Sequence, residues 1–94
     1  GFIGSPKMNF LEGGSIGIRP EHISLSDQAG DWQGTVKFAE HLGSDTFLHI
    51  DGGSRGTLTV RAMGESGFNP GDQVWMTPNQ NRLHRFDQEG RAIR

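Results

Sequence analysis

The chain has 94 residues, 32% of them hydrophobic and 15 of them glycine, so it holds one domain at most and buries only about 60 to 65% of its unfolded surface. Nine Lys and Arg against eleven Asp and Glu give a formal charge of -2, which argues against a strong overall attraction to nucleic acid or anionic lipid. With no cysteine, neither a disulfide framework nor a thiolate zinc site supports the thin core, and no apolar run nears the roughly 20 residues that cross a bilayer.

In chain order, residues 1–11 open with apolar residues between glycines and end in a strand candidate from Lys7 to Leu11, with Pro6 disfavouring helix at Ser5. Glu12 to Ser15 is a loop. Ile16 and Ile18 alternate with glycine up to Arg19, Pro20 then marks a strand end, edge or bulge, and the apolar run resumes at Ile23 and Leu25. Ser26 to Asp31 is a polar loop.

The chain is organised around Trp32 to Asp51. Trp32, Val36 and Phe38 alternate with Gln33, Thr35 and Lys37, which predicts a half-buried strand with the first set facing inward. Thr46 to Ile50 predicts its partner, and Gly43-Ser44 supplies the turn of a long hairpin. Asp51 to Gly56 is a glycine-rich turn, and Thr57 to Met63 alternates again, with Leu58, Val60 and Ala62 on one face. Asn69-Pro70-Gly71-Asp72 has proline and glycine at the positions a tight turn prefers. Val74 and Met76 then share a face of a strand that Pro78 ends, and Leu83 to Phe86 is the last strand candidate before the Gln88-Glu89-Gly90 turn. No helical periodicity of three turns occurs. The pattern predicts a single all-β domain, and a five-stranded, partly open barrel of the OB type suits its length best.

Catalytic chemistry finds little support. Of the four histidines, only His41 and His49 could meet, across the hairpin, and a metal site needs three or four converging ligands. Glu40 with Asp45, and Asp51 with Asp72, flank turns where water keeps carboxylates ordinary, so neither pair predicts an acid and a base. Ser5, Ser15, Ser24 and Ser26 lack the setting of an activated nucleophile, and no G-x-x-x-x-G-K-[ST] loop is present to cradle ATP phosphates. No catalytic, cofactor or metal site is expected in these residues. Ser54-Arg55-Gly56-Thr57 reads as a solvated turn, with a backbone nest for a small anion as the alternative. Arg82, Arg85, Arg91 and Arg94 around His84 read as a solvated tail, because Asp87 and Glu89 interrupt the run.

Two segments carry a family resemblance. Phe2-Ile3-Gly4-Ser5-Pro6 with Met8-Asn9-Phe10-Leu11, and above all the hexamer Gly17-Ile18-Arg19-Pro20-Glu21-His22, resemble the carboxyl-terminal domain of ATP-binding subunits in bacterial ABC importers of maltose, oligosaccharides and glycerol phosphate. Weaker matches run through Gly34, Val36, Glu40, Leu42, Gly43, Asp45 and Thr46, then Gly71, Asp72 and Val74, and finally His84, Phe86, Asp87 and Gly90. In that family the ATPase domain is followed by an OB-type module called TOBE.

The resemblance implies a non-catalytic regulatory and dimerisation domain of a carbohydrate importer, at the cytoplasmic face of the bacterial plasma membrane. ATP and Mg would belong to a nucleotide-binding domain outside this chain. Implied partners are a second copy, the transporter's membrane subunits and a regulatory protein, with contacts expected from Phe2, Ile3 and Trp75. Where the family carries a few dozen residues between the Asn9-Phe10-Leu11 strand and the hexamer, this chain has only Glu12 to Ile16. The barrel is therefore expected to be incomplete or completed by a partner chain, with an unpaired sheet edge that favours a homodimer. Two alternatives belong to other classes. A nucleic-acid-binding OB module would need exposed aromatics, whereas the phenylalanines are mostly expected to face inward, and there is no tyrosine. An oxyanion-binding module would use Arg55.

Overall fold

A computed structural model describes residues 7–62 and 67–93. Phe2 and Ile3 lie outside the described residues. Among the described residues nine strands form two antiparallel sheets: β1 (Asn9–Leu11), β2 (Ile16–Ile18), β3 (Ile23–Ser26), β4 (Trp32–Leu42), β5 (Asp45–Asp51), β6 (Thr57–Ala62), β7 (Gln73–Pro78), β8 (His84–Phe86) and β9 (Ala92–Ile93). The larger sheet has the order β3-β7-β4-β5-β6 and the smaller one β1-β2-β8-β9. Four single turns of 3-10 helix stand between strands, and no α-helix occurs among the described residues. This is the all-β architecture expected, a small OB-type domain whose barrel is not closed.

One core unites the sheets. Ile23, Val36, Leu48, Ile50, Leu58, Val60, Ala62, Val74 and Met76 come from the larger sheet, and Leu11 and Ile18 from the smaller. The edge strands β3 and β6 curl toward each other, and the turn Pro20–His22 packs against β6. No hydrogen-bonded ladder joins β3 to β6 among the described residues.

β4 departs from the simple alternation. Val36 pairs with Ile50, but the next pair is Phe38 with His49, so Lys37 is an extra residue and the register shifts there. Such a bulge turns every later side chain to the opposite face. Phe38, expected inward beside Trp32 and Val36, is 49% exposed and stacks on the His49 ring at 4.3 Å between centroids. Phe10 is likewise outside, 56% exposed, while Phe47 is buried. The expectation that the phenylalanines mostly face inward therefore fails for these two strands.

The short link from Leu11 to Gly17 leaves no gap between its strands. β1 and β2 pair directly, Asn9 with Ile18, Phe10 with Gly17 and Leu11 with Ile16, across a turn in which Glu12, Gly13 and Gly14 all have positive φ (51°, 70° and 93°). The edge of β6 is not bare either. The Thr59 N–H donates to Asn9 Oδ1 (2.7 Å), and Asn9 Nδ2 donates to the Thr59 carbonyl (2.8 Å). The carboxamide thus satisfies one donor and one acceptor that a further strand would otherwise pair. At the carboxyl end Arg82, His84, Arg85 and Arg91 are exposed, as expected, while the segment that carries them is a hairpin and Arg94 lies outside the described residues. β9 pairs with β8, the Asp87 N–H donates to the Arg91 carbonyl (2.8 Å), and the Arg91 side chain lies 3.4 Å from Asp87 and 3.6 Å from Glu89.

Candidate functional site

The hexamer lies at the seam between the sheets. Gly17 is the middle of a row across the small sheet, with Phe10 on one side and His84 on the other. A side chain there has no room: a Cβ on Gly17 would strike Met8 Sδ and come within 3.0 Å of Phe86 Cε2. Ile18 and Pro20 are buried, whereas Arg19 and Glu21 face solvent. The His22 N–H donates to the Arg19 carbonyl (3.0 Å), and the His22 carbonyl accepts from the Asn79 N–H (2.9 Å), fastening the hexamer to the end of β7. Most of the signature is thus engaged in holding the fold.

Trp75 is half-buried on β7, with its Cβ close to Gly30. Among the described residues, the large apolar side chains that stand exposed are Phe10, Phe38 and Ile93. Phe10 and Phe86 rings lie 5.9 Å apart, and His84 lies 6.5 Å from Phe86, so the outer face of the small sheet carries an aromatic patch around Gly17. Sequence reasoning missed it, because β8, which supplies His84 and Phe86, lies far along the chain from the β1–β2 hairpin that supplies Phe10 and Gly17.

Several of the polar residues considered for catalysis serve as turn caps and cross-strand partners. His41 bonds Thr46 (3.0 Å) and His49 bonds Glu40 (3.0 Å), so the two histidines do not meet. Asp51 Oδ1 accepts from the Gly53 N–H and Asp72 Oδ2 from the Asn69 N–H. Among the described residues no group of three His, Asp or Glu side chains is placed to hold a metal ion. Around Arg55 the backbone is occupied by its own turn: the N–H groups of Gly52, Gly53, Arg55 and Gly56 donate to Gly56, Asp51, Gly52 and Gly53. A nest for an anion needs those donors free.

A cleft of about 430 Å³ opens between the small sheet and the start of β4. Leu11, Ile16 and Leu83 give it an apolar lining, and Trp32 forms a wall. The Arg55 guanidinium carbon sits 5.2 Å from the centroid of the Trp32 ring, in cation–π range. Glu12, Asp31, Ser54 and Gln80 add polar groups, all exposed to solvent.

The TOBE domain model matches residues 16–86, which spans the hexamer, the central hairpin and the strands through β8. The chain belongs to the TOBE domain family. It is 33% identical to the sn-glycerol-3-phosphate import ATP-binding protein UgpC of Escherichia coli (strain K12) over 119 positions, with 94% of this chain and 33% of that protein covered. Similarity to an uncharacterized ABC transporter ATP-binding protein, y4oS of Sinorhizobium fredii, is 30% over 118 positions, covering 93% of this chain and 31% of the other. The UgpC of Salmonella typhi is 32% identical, with the same coverage as its Escherichia coli counterpart. The TOBE chain thus spans about a third of the length of the curated relatives it matches. Because 119 aligned positions exceed its 94 residues, at least 25 positions of UgpC have no counterpart in it. No helix among the described residues is long and apolar enough to cross a membrane.

Proposed function

We propose that this TOBE domain is the non-catalytic regulatory and dimerisation module of an ATP-binding subunit that serves a carbohydrate or glycerol-phosphate importer. The observation that carries the reading is the match along nearly the whole chain to import ATP-binding proteins. Its physics is that of a tether: two copies in fixed contact keep their ATPase partners at high effective concentration through each opening and closing. ATP and Mg act in a nucleotide-binding domain outside these residues, membrane subunits and a regulatory protein are further partners, and the assembly works at the cytoplasmic face of the plasma membrane.

The aromatic patch of Phe10 and Phe86 is the surface best suited to a second copy, because apolar side chains grouped on one face gain most from being covered. Sedimentation over a concentration series, read beside thermal melts, tests the association. A dimer whose melting temperature falls on dilution is expected. A compact monomer with a concentration-independent melt overturns it, and a parent subunit without a P-loop overturns the importer assignment.

A further inference from the structure

We propose that the cleft beside Trp32 is a binding site for a neutral polyhydroxylated molecule the size of a monosaccharide or sugar alcohol. Its volume of about 430 Å³ falls in the lower part of the range of about 300 to 1,000 Å³ found for small-molecule sites. The lining is divided in the way such a ligand requires. Leu11, Ile16 and Leu83 face the C–H surface of a sugar ring, the Trp32 indole with the Arg55 guanidinium over it forms a wall, and the five polar side chains face its hydroxyls.

The polar set selects the ligand class. The carboxylate oxygens of Glu12 and Asp31 accept hydrogen bonds, Arg55 only donates, and Ser54 and Gln80 do both. A hydroxyl group both donates and accepts, so a polyol can satisfy every member of this mixed ring. An anion would meet two carboxylates against one guanidinium, and a cation could engage the carboxylates but would leave the donors of Arg55 without an acceptor. Among the described residues, the side chains of Glu12, Asp31, Ser54 and Gln80 make no hydrogen bond to the rest of the chain, so their bonding capacity is open to a ligand.

The backbone beneath several of these groups is fixed. Trp32 is held by pairing with Met76, and Arg55 by the Gly52 N–H to Gly56 carbonyl bond (2.9 Å) that closes its turn and by the indole beneath its guanidinium. Gln80 stands in a turn closed by the Arg82 N–H donating to the Asn79 carbonyl (2.9 Å). A fixed backbone leaves only side-chain freedom to be lost when a ligand arrives. The site rests on this cleft alone and stands or falls separately from association and from the importer reading.

Proton–nitrogen correlation spectra of the ¹⁵N-labelled chain, titrated with D-glucose, D-galactose and D-mannitol and, in a second arm, with sodium sulfate, test the site. At least one of the three neutral compounds is expected to give saturable shifts of the Trp32 indole N–H and the Gln80 carboxamide, with Kd on the order of 1 mM. Asp31→Ala and Gln80→Ala, both at exposed positions, should weaken that binding about tenfold while the remaining resonances stay in place. No saturable shift with any of the three, or shifts unchanged in both variants, overturns the proposal. Saturation by sulfate in preference to the polyols overturns it in favour of an anion site.

Discussion

The two sheets are held by different physics. In the larger one, strands up to eleven residues long bury a continuous set of aliphatic side chains, and Leu48, Ile50, Val60, Val74 and Met76 are sealed from solvent. The smaller has strands of two or three residues, contributes Leu11 and Ile18 to the core, and depends on single contacts: the Asn9 carboxamide on β6, the Phe86 N–H to Ser15 carbonyl bond (2.9 Å), and side chains packed over Gly17. Burial is spread over many residues and tolerates local change, whereas a clamp made by one side chain is lost with that side chain. The difference matters because the aromatic patch and one side of the cleft both belong to the smaller sheet.

The largest effect is expected where burial dominates. Leu48→Ala should cost about 2 to 5 kcal/mol, read as a lower urea midpoint for the whole domain, since the cavity opens in the middle of the core. A loss confined to the small sheet would show that the core is less shared than its packing indicates. Asn9→Leu keeps the size of the side chain and removes both of its hydrogen bonds, leaving a Thr59 donor and acceptor without their partner, and should cost about 1 to 3 kcal/mol. Its distinguishing readout is hydrogen exchange: the Thr59 amide should lose protection before the interior of β5 does.

Smaller changes sharpen the contrast. Glu12 is the non-glycine residue with positive φ among the described residues, and Glu12→Gly should stabilise the domain by about 0.5 kcal/mol, as relief of left-handed strain outweighs the added freedom of the unfolded chain. A destabilised variant in a thermal melt would mean that the carboxylate contributes more to the turn than its backbone strain takes away. Phe38→Ser, beyond the bulge and half-exposed, should leave the melting temperature within the equivalent of about 0.5 kcal/mol of the parent value. A large drop would assign the stacked Phe38–His49 pair to the structural frame.

How much of this the sequence discloses follows from the range of each interaction. The Asn69-Pro70-Gly71-Asp72 turn was legible because its chemistry is local: Gly71 takes φ 92° and the Asp72 N–H donates to the Asn69 carbonyl. The long hairpin was legible for the same reason, with Leu42 pairing with Asp45 around Gly43-Ser44. Phe38 was misplaced because one inserted residue reverses the phase of an alternation, and Lys37 carries no mark that it is the extra one. Asn9 clamps a residue 50 positions away, and Arg55 meets Trp32 only because β4, β5 and the turn after them fold back together. β9 is two residues long, too short for any periodicity. The hexamer lies inside the matched TOBE span, and its residues are engaged in packing, with Ile18 and Pro20 buried and Gly17 closely overlaid.

The turn at Glu12 to Gly14 makes the β1–β2 hairpin a point of interchange in the domain's architecture. Leu11 and Ile16 are directly paired, so any segment inserted between them has only to leave and return at neighbouring positions. Lengthening a flexible loop sixfold costs only about 1.6 kcal/mol in closure entropy. The β1–β2 turn can therefore accept a long insertion while the core registers stay fixed, because only the neighbouring ends of the two strands have to be spanned.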